Sequence, residues 1–283
     1  MSGFEGERAV KQILKTELKR AFTGKMFFIS IGLGCILAIL QLLLEVTGHL
    51  PYMANYFTYQ KHMTGIDYFF SAWMGGNPTD IYGYIFFLLL PILAVLPYAD
   101  TFFTDIKSGF AKNLLLRVKR RHYFFAKYIA AFLAGGAAVV IPLLLNFLSA
   151  AMVLPAILPQ STSGSHPIWI TSMWHGLYYN HPFVYEFLYM GLDFLFAGIF
   201  AAVALSVTRL AQNRIITLLS PFILYIFLSA FFDFLGQYDW APRAFLPPGS
   251  GSGHGPVVAV EAAVGLLLTF FVFVMRGPKD DVY

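Results

Sequence analysis

Charge is scarce in this chain. Only 12% of its 283 residues are Asp, Glu, Lys or Arg, against 58% that are hydrophobic, and the mean hydropathy is +0.67. A soluble domain carries about 25% charged residues, so the solvating surface is roughly half of what a water-soluble enzyme needs. Cysteine is scarcer still. Cys35 stands alone in an apolar run, which excludes a disulfide scaffold and a cysteine-ligated metal site. Signatures of chemistry are missing as well: there is no G-x-x-x-x-G-K-S/T, no G-x-S-x-G and no H-E-x-x-H. The chain is therefore expected to be no enzyme, with no catalytic residue, no cofactor and no P-loop of its own. His166, His175 and His181 lack the i,i+4 spacing that sets two ligands on one helix face, so no metal site is expected. Nucleic acid is not an expected partner, because the basic residues cluster beside apolar segments rather than on a soluble basic face.

What the sequence does have is long apolar runs. A span needs about 20 mostly apolar residues to cross about 30 Å of hydrocarbon. Runs at 26–46, 81–98, 124–154, 183–207, 215–232 and 257–275 meet or approach that length. The second is short and broken by Pro91 and Pro97, and the third is long enough to tilt or protrude. No segment alternates as a barrel strand would, so the expected fold is an all-α integral membrane protein with six transmembrane helices. The first run is too long for a signal-peptide core and lacks an A-x-A-like exit, so it reads as a retained span. Of the 19 lysines and arginines, all but Lys61 and Arg243 fall on one side of this arrangement. That bias places both termini in the cytoplasm, with the cell membrane as the expected location. Trp73, Trp169, Trp174 and Trp240 all fall on the other side, where amphipathic rings favour the headgroup layer.

Two cytoplasmic segments carry more pattern than a linker needs. Residues 5–22 read as an amphipathic elbow helix, with Val10, Leu14 and Leu18 at four-residue spacing and Lys11, Lys15, Lys19 and Arg20 free for phosphate headgroups. The division expected is thus a cytoplasmic elbow at 1–25 and a transmembrane domain at 26–283. Between the second and third spans, ADTFFTDIKSGFAKNLLLRVKRRHY offers N-cap oxygens at Asp100, Thr101 and Thr104, and Gly109 as a helix breaker. Phe102, Phe103, Ile106 and Phe110 need something to bury them. A membrane-surface helix beside a positive-inside signal and a docking helix for a partner both satisfy the pattern.

Inside the spans, Ala130, Ala134 and Ala138 form a small-residue row with Ala131 and Gly135 beside it, suited to packing within one subunit or between two. Asp193 is the most deeply placed acid, within YMGLDFLFAG, and Asn146 in the third span is a candidate partner. A structural hydrogen bond, a place on a substrate pathway and ion coupling are all open to Asp193.

The order of these features resembles the membrane subunit of a type-2 ABC exporter, a bacterial permease whose ATPase is a separate polypeptide. The resemblance rests on LKTELKRAFTGKMFFIS at the start and on FTDIKSGFAKNLLLRVKRRHYFFAKYIAAF in the middle, and in topology it covers nearly the whole chain. It implies two permease subunits, identical or related, lining a pathway in the lipid membrane, and two ATPase subunits holding ATP and Mg²⁺ below. It makes residues 101–116 a coupling helix. Phe102, Phe103, Ile106 and Phe110 would fill a groove on the ATPase, with Asp105, Lys107 and Lys112 as rim charges. The elbow helix, with Lys11, Leu14, Lys15 and Leu18, would lie beside it. The implied cargo is a peptide or lipid-like amphiphile moving outward. An ion-coupled carrier using Asp193, and a non-transporting immunity or binding protein, are the alternatives.

Overall fold

In the computed structural model, residues 2–50, 69–77, 79–98, 101–116, 118–159, 168, 170–209, 213–250 and 253–276 are described, without the side chains of 2–9, 49, 107, 110, 112 and 113. No strand occurs among them. The helices are α1 (Ser2–Thr23), α2 (Lys25–Gln41), α3 (Phe69–Ala72), α4 (Ile81–Val95), α5 (Thr101–Lys107), α6 (Phe110–Leu115), α7 (Arg120–Val153), α8 (His175–Asn180), α9 (Pro182–Val207), α10 (Arg214–Phe234), α11 (Pro242–Phe245) and α12 (Gly255–Phe270). Helices α2 and α12 each run on into a five-residue π turn, Leu42–Val46 and Phe271–Met275.

Five helices are long and apolar enough to cross a membrane: α2 and α12 with their π turns, α7, α9 and α10. These are the marks of a multi-pass membrane protein. The second expected span is shorter than its apolar run. Asp80 caps α4 by accepting from the amides of Tyr82 and Gly83, both at 3.0 Å. At the other end the helix gives way at Val95 to a turn that holds Pro97. Its 15 residues rise only about 22 Å. Length matters less here because Phe86, Leu90 and Leu93 bury α4 among its neighbours rather than against lipid.

Helices α7 and α9 form the centre and the others surround them. Of the most apolar stretch of α9, 67% is buried, against 22% for α10. Phe28, Ile36 and Leu44 on α2, Ile223 and Phe227 on α10, and Leu267 on α12 point outward. The small-residue row of α7 is consumed within the chain: a Cβ on Gly135 would lie 2.7 Å from the Ala201 methyl and 2.7 Å from the Ala94 carbonyl oxygen. One helix backbone thus touches both α4 and α9 there. On α2, Gly34 leaves a notch for the Pro142 ring, whose Cγ would stand 2.6 Å from an added Cβ.

Helix α7 has 34 residues and is about 51 Å long, well beyond the roughly 30 Å of a hydrocarbon core. Its first turns pack against α1, α5 and Phe273. The opposite end is closed by α3, by residues 168 and 170–181, and by the turns at 235–250. There Phe69, Phe147 and Phe183 stack edge-on, and the Gly249 amide donates to the Gly75 carbonyl at 2.9 Å. Trp73 was expected in the headgroup layer and is fully buried instead, packed edge-on to Phe147. The α3 segment turns back into the bundle, so its aromatic residues serve as core.

Candidate functional site

Where α1 meets α5 and α7, six polar side chains gather in an otherwise apolar cluster. Glu17 is 1% exposed, Asp105 2% and Lys127 0%. Arg20 grips Asp105 with both amino groups, Nη2 to Oδ1 at 2.7 Å and Nη1 to Oδ2 at 3.3 Å, and reaches Glu17 Oε1 at 3.1 Å. Lys127 Nζ bonds Asp105 Oδ2 closely and lies 3.6 Å from Glu17 Oε2. Tyr98 donates to Glu17, and Tyr123 donates to Asp105 at 3.0 Å. The two phenol rings also flank the ammonium, with centroids 5.0 and 5.5 Å away. Among the described side chains two carboxylates meet two cations, Lys127 buried and Arg20 partly exposed, which offsets the cost of burying the charges. Burial works against the ionised form of Asp105, but Arg20 and Lys127 outweigh it and hold the carboxyl below the ordinary carboxylate range.

This geometry corrects several expectations. Asp105 is not a rim charge; its oxygens are engaged by α1 and α7. Phe102 is 3% exposed and packs on Phe124 and Phe273, and Ile106 joins the same cluster, so neither projects outward to fill a partner's groove. Phe103 is half-buried. The side chains of Lys107, Phe110 and Lys112 lie outside the described residues. Among the side chains described, the outward ones are Thr104, Ser108 and Leu116, the last 86% exposed. Gly109, at φ +74°, does break the segment into α5 and α6.

On α1 the buried column is Ile13, Glu17 and Ala21, with Leu14 and Leu18 at its flank and Lys11, Lys15 and Lys19 exposed. The apolar stripe alone had centred the buried face on Leu14 and Leu18. An acid at its centre shifts it, and Arg20, read as free for headgroups, is committed to Asp105 and Glu17.

The possible pathway residues also separate. Asn146 does not serve Asp193. Its Nδ2 donates to the Ala38 carbonyl at 3.1 Å and to Gln41 Oε1 at 2.8 Å, and its Oδ1 accepts from the Met74 amide at 2.8 Å. Gln41 in turn donates to the Ala72 carbonyl at 2.8 Å. Asn146 is a pin joining α2, α7 and the α3 segment. Asp193 is 0% exposed, and both its oxygens are without a hydrogen-bond partner among the described residues. Sequence reasoning missed its companion: Glu186, two turns earlier on α9, is equally buried and equally unpartnered. The Trp73 indole faces Glu186 closely enough to interact, though without hydrogen-bond geometry. The signal was there in the seven-residue spacing, which places both acids on one helix face.

A cavity of about 500 Å³ opens between α4 and α10 at the same end. Tyr84, Tyr225, Ser229, Asp233, Tyr238 and Arg243 line its polar side. Comparisons with protein families, curated proteins and solved structures find no match to this chain. Function therefore rests on the side chains themselves. The α1 end holds an ionic knot, the opposite end holds a cavity, and between them α9 buries two acids with no hydrogen-bond partner among the described residues.

Proposed function

We propose that the chain is the permease subunit of an ATP-driven exporter, of the type-2 ABC kind its sequence resembles, with the α1 end facing the cytoplasm. The observation that carries this reading is the knot of Glu17, Arg20, Asp105 and Lys127. It fastens α5, a short helix outside the bundle, to α1 and to the central helix α7. A push on α5 is then passed to α7, and through α7 to α2, α4 and α9 that pack on it. Such a lever lets binding in one subunit bias the arrangement of spans in another, provided the motor contacts α5 differently in its two states. ATP and its Mg²⁺ belong to the partner, and this chain supplies the lever and the pathway.

The test is purification of the tagged full chain in mild detergent with a photo-cross-linker at Ser108 or Leu116, both on the outward surface. A Walker-containing ATPase should co-purify and be captured at these positions. In the reconstituted complex, Asp105→Asn should leave hydrolysis running while transport falls. No captured ATPase, or full coupling in Asp105→Asn, overturns the proposal.

The buried Glu186 and Asp193 favour a second reading, an ion-coupled carrier in which α9 holds the titrating pair. Under it Asp193→Asn abolishes the pH dependence of transport, and an unaltered pH profile removes it.

A further inference from the structure

The inner face of α10 is unusual for a helix that packs by hydrophobicity. Its buried residues are Thr217, Pro221, Tyr225 and Ser229, a column at four-residue spacing, while Ile215, Ile223 and Phe227 are exposed. Asp233 continues the column by one more turn. Polar groups turned inward among apolar helices mark a bonded contact or a cavity that polar ligands reach. Here the contact is missing. Ser229 is 4% exposed, has no hydrogen-bond partner among the described residues, and lines the cavity between α4 and α10.

The ion pair beside it is lopsided. Arg243 Nε donates to Asp233 Oδ2 at 3.1 Å, and Nη2 goes to the same oxygen. Oδ1 is buried and has no partner among the described residues. The carboxylate thus keeps a strong acceptor uncommitted, one turn from an uncommitted hydroxyl, in a space walled by the rings of Tyr84, Tyr225 and Tyr238. Acceptors of this kind select a charged N–H donor, and aromatic walls favour a cation over an anion. Asn77 and Ser250 add polar atoms to the lining, and an apolar stretch is formed by Phe87, Leu88 and Ile226. Ile226 and Tyr84 are themselves exposed on the flank of the bundle, so the cavity opens sideways as well as toward the end. A volume of about 500 Å³ holds a headgroup with the first part of a chain.

We infer that this cavity binds an amphiphile bearing a protonated primary amine, its ammonium donating to Asp233 Oδ1 and Ser229 Oγ and its tail lying along Phe87, Leu88 and Ile226. This names a cargo class for the exporter reading and rests on that reading only for the use made of binding. Binding itself requires no ATPase. ATP-driven transport without amine binding would sink this site alone, and amine binding in a protein that never engages an ATPase would sink the exporter alone.

The experiment uses the full chain in phosphatidylcholine nanodiscs, titrated with decylamine and with decyltrimethylammonium at neutral pH, with protein-free discs subtracted. Decylamine should bind saturably and about tenfold more tightly than the trimethyl analogue, which has the charge but no N–H to donate. Asp233→Asn should weaken decylamine about tenfold and Ser229→Ala about threefold. Arg243→Gln returns the whole carboxylate to the cavity and should tighten binding. Equal affinity for the two amines, unchanged affinity in a folded Asp233→Asn, or weaker binding in Arg243→Gln each overturns the inference. Should Asp233→Asn fail to fold, the Ser229 and Arg243 variants decide the matter alone.

Discussion

At the α1 end, Lys127 and Arg20 each meet both Asp105 and Glu17 within 4.0 Å or less. Within α9, Glu186 and Asp193 are as deeply buried and meet no cation and no hydrogen-bond donor in bonding geometry among the described residues. The same protein therefore treats buried charge in two ways. A closed knot fixes relative position, because any shift of one helix strands a charge in apolar surroundings. An open pair fixes nothing and is destabilising unless neutral or met by something from outside. The first arrangement suits transmission of movement, and the second suits binding.

Breaking the knot should give the largest effect. Lys127→Met leaves two buried carboxylates with one guanidinium, and the loss is expected at about 3–5 kcal/mol, read by chemical unfolding in detergent and by faster proteolysis of α1. Loss below 1 kcal/mol would mean that the knot holds nothing together. Next in size is Asn146→Leu, which strands the Met74 amide and takes the Asn146 donor from Gln41 Oε1. It should cost about 1–3 kcal/mol in the same assay.

The acids of α9 should respond with the opposite sign. Glu186→Gln and Asp193→Asn remove no hydrogen bond to a described residue, so stability should hold or rise, by up to about 1 kcal/mol. A loss of several kcal/mol would show that the pair has partners after all. Smaller again is the effect of Arg243→Gln on stability. Its pair with Asp233 is half exposed, and under about 1 kcal/mol is expected.

Acidity gives the smallest change. The Asp105 carboxyl is held below its ordinary value, so its share of stability is fully present above about pH 3.9 and fades only as pH falls through the lower folded value. The share of α1 protease protection lost in Asp105→Asn should then be the same at every pH from 8 to 5.

How much of this was written in the sequence varies by element. Helices α2, α7, α9, α10 and α12 were legible because apolar length is a one-dimensional property. Gly109 and Asp80 act through their own backbone neighbourhood, and Gly109 was read as a breaker for that reason. The partnership of Arg20 with Asp105, 85 residues away, left no local mark. Amphipathic reasoning treats an acid as solvent-facing, so it turned α1 by about a residue, and the family resemblance made Asp105 a rim charge. Trp73 misled in the same way, because a ring that suits the headgroup layer suits a core equally well. Glu186 was overlooked because it stands only a few residues from the start of α9, where a count of residues suggests a shallow position.

The seclusion of the Lys127 ammonium also orders events during synthesis. Its counter-ions Glu17 and Asp105 both precede it in the chain, and the apolar helices α2 and α4 are made between Glu17 and the lysine. Helix α1 is consequently made well before it can be clasped. A bulky fusion placed against it would be felt as a stall in assembly before any defect in the finished molecule.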